Sequence, residues 1–337
     1  MTSDWPRVQL HVVTGKGGTG KSTVAAALAL GLASHGNNVL LCEVEGRQGV
    51  ARMFDVDPLP YAETRIATGL RWSEDGGHHP PGSVYALHID AEQALLEYLR
   101  MYYKLGPAGR ALDRFGVVEF ATTVAPGVRD VLLTGKVFEA VQRNSRNRGA
   151  RQYDAVVLDA PPTGRITSFL NVSESVAGLA KVGPIKHQAD TMMTLFRSPR
   201  TAVHLVTLLE EMPVQETADG IAELHAARLP VGGVIINQVR PRDLPDDALE
   251  AARTGRLDAA TVADDLKRAG IEGGNGFVDT LLEEAKEYAE RRALEDRQRE
   301  ALAHLAVPTY ELERLAAGVD MGGLYELAAD LKEQGLA

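Results

Sequence analysis

Nine residues near the amino terminus, "GKGGTGKST" from Gly15 to Thr23, bring glycines, lysines and hydroxyls together in a spacing that can hold phosphate. Gly15 to Ser22 fits G-x-x-x-x-G-K-[ST], in which main-chain N–H groups wrap the phosphates, the last lysine reaches the β and γ oxygens, and the hydroxyl after it ligates Mg²⁺. On this reading Gly15, Gly17, Gly18, Thr19, Gly20 and Thr23 belong to the cradle, Lys21 supplies the charge, and Ser22 holds the metal. Glycines are needed because the backbone must come close to the anion and take up positive φ. A helix starting near Gly20 adds its positive end. Lys16 has no part in this ordinary pattern, and an isolated lysine at that place could equally be solvated.

The second chemically placed residue is Asp159, at the end of the apolar run "DAVVLDA" (154–160). A carboxylate at a strand end beside a phosphate loop is positioned to hold the water shell of Mg²⁺, so Asp159 is the Walker B candidate. Strand-ending aspartates are common, and its neighbours must carry the rest of the case.

The elements that would position these groups follow from the apolar patterning. "VQLHVVT" (8–14) reads as a strand, "STVAAALALGLASHG" as a helix that Gly36 stops, and "NVLLCEV" as the next strand. "DAVVLDA", "AVHLVTL" (202–208) and "VGGVIIN" (231–237) are further buried-strand candidates. Strands alternating with helix-length segments imply an α/β fold with a mostly parallel sheet and helices on both faces. Residues 1–337 are taken as one domain, with a helical subdomain from inserts at about 91–150 and 172–198. Residues 72–83, "WSEDGGHHPPGS", read as an exposed loop. Its His78 and His79 lack a third ligand at a sensible spacing, so the pair is not read as a metal site. Residues 279–305 read as one long charged helix with a solvated face.

Composition narrows the class. The chain has 36 basic and 46 acidic side chains, a net charge of -10, which speaks against a general attraction to nucleic acid; no nucleic acid partner is expected. The single cysteine, Cys42, can make neither an internal disulfide nor a Cys-Cys metal site, and points to a cytoplasmic setting. No uncharged stretch reaches the roughly 20 residues that span a bilayer, so any contact with a membrane is peripheral.

The string "KGGTGKST" resembles the deviant Walker A motif K-G-G-x-G-K-[ST] of a P-loop NTPase superfamily that includes septum-positioning, plasmid-partition, arsenite-pump and tail-anchored-protein-targeting ATPases. In that superfamily the first lysine crosses a dimer interface to the partner's nucleotide, which implies that Lys16 acts in trans, as an arginine finger does. "APPTGR" after Asp159 is similar to the A-P-T-G-H-T switch of the arsenite-pump and tail-anchored-targeting branch, and this favours that branch. "APGVRDVL" (125–132) resembles its P-G-x-x-E segment with Asp130 in the acidic place, although a turn before a helix explains Pro126 and Gly127 equally well. "EEMPVQET" (210–217) keeps Glu210, Glu216 and Thr217 of its P-E-x-x-x-x-E-T segment and lacks the proline. "VIINQV" ends its apolar run at Asn237, which in the branch hydrogen-bonds adenine, and an amide suits the donor–acceptor edge of a purine. The likeness spans nearly the whole chain and is close for actinobacterial members with one phosphate loop. It implies an ATPase with ATP/ADP and Mg²⁺ as ligands, working as a homodimer or as a heterodimer with a paralogous ATPase, and acting on a hydrophobic or membrane-protein client.

One segment departs from the branch. Its S-T-D-P-A-H switch, whose Asp positions the attacking water, is replaced by "CEVEGRQG" (42–49). Counting from "VLL" puts Glu45 in the Asp position and removes the proline. The carboxylate gains one methylene, Glu43 is a rival for the same role, and a slow or non-hydrolysing nucleotide-binding subunit is the alternative. Arsenite binding by a pump ATPase uses several thiols, which this chain lacks. For a client groove, "ADTMMTLF" (189–196) and "LLEYLRMYY" (95–103) offer adaptable apolar side chains, although such stripes are more often core. A partition-type ATPase would need a basic C-terminal surface, which is not apparent, and a P-loop kinase would need an acceptor.

Overall fold

A computed structural model describes residues 3–46, 48–71, 80–103, 126–143, 149–172, 184–273, 276–316 and 318–337. Its strands are β1 (Leu10–Gly15), β2 (Asn38–Glu43), β3 (Thr64–Thr68), β4 (Ser83–His88), β5 (Ala155–Asp159), β6 (Thr201–Thr207), β7 (Val231–Val239) and β8 (Thr309–Glu313). They form one sheet in the order β3-β4-β2-β5-β1-β6-β7-β8. Every pairing is parallel except β3 with β4. The sequence reading of an α/β fold with a mostly parallel sheet therefore holds.

Alternation along the strands sends side chains to two separate cores. Leu10 and Val12 of β1, Leu40 and Cys42 of β2, and Val156 and Leu158 of β5 enter one, while Val13, Val39, Leu41 and Val157 enter the other. Strands apolar on both faces are what a parallel sheet covered by helices requires. The second face is covered by α1 (Lys21–Leu32), which buries Val24, Leu28 and Leu30, and by α11 (Met321–Glu333), which buries Leu324, Leu327 and Leu331. Alanines predominate in α1 because the helix lies flat on the sheet and against α11, leaving little room for bulk.

The first face is covered by α4 (Pro126–Gln142), α5 (Thr163–Leu170), α6 (Pro184–Phe196) and α7 (Glu211–Ala226). α4 packs on α6 and on α3 (Ala91–Tyr103). α3, α4 and α6 fall at the expected inserts, α5 lies beside one and α7 lies outside them, while residues 104–125, 144–148 and 173–183 lie outside the described residues, as do His78 and His79. Met192, Met193, Leu195 and Phe196 of α6 are buried in the first core, so this stripe is core instead of lining an open groove. The long charged helix runs Phe277–Ala303 (α10), preceded by α8 (Asp246–Arg253) and α9 (Ala259–Arg268). Among the described residues, no helix is long and apolar enough to cross a membrane.

Two histidines interrupt the second face. Gly233 donates its N–H to His204 Nδ1 at 3.0 Å, so the His204 proton sits on Nε2 and points to His11 Nδ1, 3.1 Å away. Both rings are fully buried. Burial lowers His11 to a pKa of about 4 and His204 well below the usual range, the latter also through His11.

Candidate functional site

The carboxyl ends of β2, β5, β1 and β6 converge on the loop 16–20, at the edge where ligands of parallel α/β sheets sit. The loop leaves β1 at Gly15 and enters α1 at Lys21, which confirms the strand, loop and helix order expected for a phosphate cradle. Thr19 closes a tight turn by donating its hydroxyl to the Lys16 carbonyl at 2.9 Å. Gly17 and Gly18 are exposed, with open space where a side chain would stand. Gly20 has φ +89°, and a Cβ there would collide with the Asn237 amide. Only glycine fits both demands.

Behind the loop, Ser22 donates its hydroxyl to Asp159 Oδ2 at 2.5 Å. Asp159 Oδ1 is buried and has no hydrogen-bond partner among the described residues. Burial is the main cause that lifts the Asp159 pKa to about 6; the Ser22 hydrogen bond and Lys21 oppose it, and Glu43 and Glu45 push it further up. A buried carboxylate with one orphaned oxygen, a hydroxyl beside it and more acid than base around it is a donor set for a hard, oxygen-preferring cation. Ser22 and Asp159 are therefore the residues that would hold Mg²⁺. Thr23, next in α1, donates its hydroxyl to Met53 Sδ at 3.7 Å and so ties the cradle helix to α2 (Gly49–Met53).

Asn237 stands at the end of β7 and is buried. Its Nδ2 donates to the Thr19 carbonyl at 2.8 Å, so it braces the cradle from behind and keeps its amide oxygen for other work. Lys16, on the near side, extends to α7 and forms an ion pair with Glu216 Oε1 at 2.5 Å. Glu216 belonged to the "EEMPVQET" segment, but nothing in the sequence pairs it with Lys16. Asp130, at the start of α4, accepts from Arg165 Nη2 at 3.4 Å, and burial raises its pKa.

The segment after β2 takes its own path. Glu43 is buried, while Glu45 is partly exposed and close enough to raise the pKa of Asp159. Gly46, where the S-T-D-P-A-H pattern has proline, takes φ +72°. Proline is locked near about −65°. The loop is consequently a different conformation, not the same one with a proline missing.

The chain is similar to known proteins. A family model described as anion-transporting ATPase matches residues 8–200. ATPase BagA of Mycobacterium tuberculosis is 51% identical over 336 residues, covering 98% of this chain and 96% of that protein. The arsenical pump-driving ATPase of Escherichia coli is 30% identical over 231 residues, covering 68% of this chain and 34% of that one. ATPase GET3B of Arabidopsis thaliana is 23% identical over 283 residues, covering 70% and 65%.

Proposed function

The chain belongs to the anion-transporting ATPase family, and from that premise we propose that it is a Mg²⁺-dependent ATP hydrolase whose two-chain assembly opens and closes with its nucleotide. The observation that carries the reading is the Ser22–Asp159 pair with its orphaned Oδ1, set beneath an exposed glycine loop at the carboxyl edge of the sheet. Backbone N–H groups of residues 17–21 bind the phosphates, and Lys21 neutralises the β and γ oxygens. Mg²⁺, held by Ser22 and Asp159, would supply charge neutralisation to the phosphates. Glu45 orients a water and takes its proton as the water oxygen bonds to the γ phosphorus and the bond to the ADP oxygen breaks. Lys16 leaves Glu216 and stabilises the charge developing on the partner chain's phosphate. Asn237 offers its amide oxygen to the adenine amine.

The partner is a second copy or a paralogous ATPase, since one chain carries one phosphate loop. The client is a hydrophobic or membrane-protein segment, which the methionines of α6 do not contact, because they are core. Trapping an Asp159→Asn variant with ATP in cells and identifying what copurifies tests partner and client together.

A second reading is favoured by one observation. Gly46 gives the Glu45 loop a shape of its own, and a carboxylate misplaced by about 1 Å can cost as much as 100-fold in rate. The chain would then be a slow or non-hydrolysing regulatory subunit. Single-turnover hydrolysis of the wild type against Glu45→Ala and Asp159→Ala separates the two. Equal, low rates in all three refute the hydrolase.

A further inference from the structure

Across the carboxyl edge of the sheet, the parallel register puts His88 of β4 beside Glu43 of β2, and Glu43 beside Asp159 of β5. Glu43 is the middle member of this row, and its side chain is only 3% exposed. One of its oxygens is fully employed: Oε1 accepts the Gly49 N–H at 2.7 Å, from the first residue of α2. The other, Oε2, is buried and lies 3.5 Å from His88 Nδ1, itself buried, and neither atom has a hydrogen-bond partner among the described residues. Burying a carboxylate oxygen without a partner is costly, so the group needs a reason to be there.

The hydrogen bond from Gly49 closes the chain on itself. Residues 44–48 leave β2 at Glu43 and return to the Glu43 carboxylate at Gly49, forming a loop with Glu45 on its outgoing limb. Among the described residues of the loop, Gly46 and Gln48 have positive φ, at +72° and +51°. A glycine at 46 gives the chain more freedom than a proline would, and freedom must be removed elsewhere if Glu45 is to keep one position. The return limb is fastened twice. Besides the Gly49 bond, the Gln48 side chain donates to the Leu59 carbonyl at 3.1 Å and accepts the Leu59 N–H at 2.8 Å. Contact at Gly49 is close: a Cβ there would stand 3.3 Å from Glu43 Oε1.

We infer that Glu43 is a positioning residue for turnover, its carboxylate clamping the 44–48 loop through Gly49 and so replacing the restraint that a proline at 46 would give. Glu43 acts through Glu45 and needs to touch neither water nor phosphate. This rests on the proposed hydrolysis, and its test separates the two. The hydrogen bond needs an acceptor oxygen, which glutamine has and alanine lacks, while a general base needs the carboxylate.

The experiment compares wild type, Glu43→Ala, Glu43→Gln and Glu45→Ala by hydrogen exchange of the 44–54 peptide without nucleotide, and by kcat and KM for MgATP. Glu43→Ala should expose the Gly49 amide to faster exchange and lower kcat about 10- to 100-fold, with KM within about twofold. Glu43→Gln should restore the protection and most of kcat. Glu45→Ala should leave the exchange unchanged. Unaltered exchange in Glu43→Ala overturns the clamp. So does a Glu43→Gln variant with protected Gly49 but the kcat of Glu43→Ala, because the charge itself would then act. Lost protection in a chain that hydrolyses no ATP in any form overturns the hydrolase reading and with it the role in turnover, and leaves the clamp as a loop restraint.

Discussion

Replacing Glu216 by glutamine tests the assignment of Lys16 through its counter-charge. In the single chain Lys16 Nζ is held by Glu216 Oε1 at 2.5 Å, with the two side chains 31% and 37% exposed. Lys16 can reach a partner's phosphate only by giving up that contact. An ion pair this open to solvent is worth roughly 0.2–1 kcal/mol, well below what its short distance would give in a dry interior. Two chains closing on each other release two such pairs, so the carboxylates oppose assembly by about 0.4–2 kcal/mol, equivalent to roughly 2- to 30-fold in the dissociation constant. Glu216→Gln keeps the shape and a hydrogen-bond acceptor but removes the charge. Sedimentation with MgATP, in an Asp159→Asn background to slow turnover, should show tighter self-association by that factor, and the gap should narrow as salt is raised. Equal or weaker association at low salt refutes the competition, and weaker association would put Glu216 in the interface.

Lys16→Ala should abolish hydrolysis while leaving ATP affinity largely intact by equilibrium titration; normal hydrolysis removes the trans role. The buried His11 makes stability depend on pH. Its folded pKa lies below the unfolded value of about 6.5, so its share of stability is present above that pH and is lost as pH falls towards about 4. Between pH 7.5 and 5 that share is about 2 kcal/mol, and denaturant unfolding of His11→Leu should show a loss smaller by this amount. Asn237→Ala strips the buried Thr19 carbonyl of its partner, which should cost about 1–3 kcal/mol by denaturant unfolding and weaken nucleotide binding. Gly46→Pro, although it restores the residue of the S-T-D-P-A-H pattern, should lower kcat instead of raising it, because proline cannot adopt φ +72°.

What the sequence made legible was local. The phosphate loop could be read because strand, glycines and helix follow one another without a break, and the cradle is made of that contiguous backbone. Asp159 could be read because β5 ends there in an apolar run. The strands β3, β4 and β8 passed unread: β3, Thr64–Thr68, is short and partly exposed, and it pairs antiparallel at the sheet edge, so it lacks the doubly apolar signature of the central strands. The methionines of α6 illustrate a different limit, since an apolar stripe looks the same whether it meets a sheet or a client. Only their burial in the first core assigned them there. Charge pairing over distance was the least accessible. Lys16 and Glu216 are 200 residues apart, and no spacing rule connects them. The departure at "CEVEGRQG" lies between these cases. The missing proline was plain, and it put the question at Glu45. The consequence was not plain, because it depends on where Gly49 comes back to. Once that return is known, Glu43 changes from a competitor of Glu45 for the catalytic role into the residue that fixes where Glu45 can be.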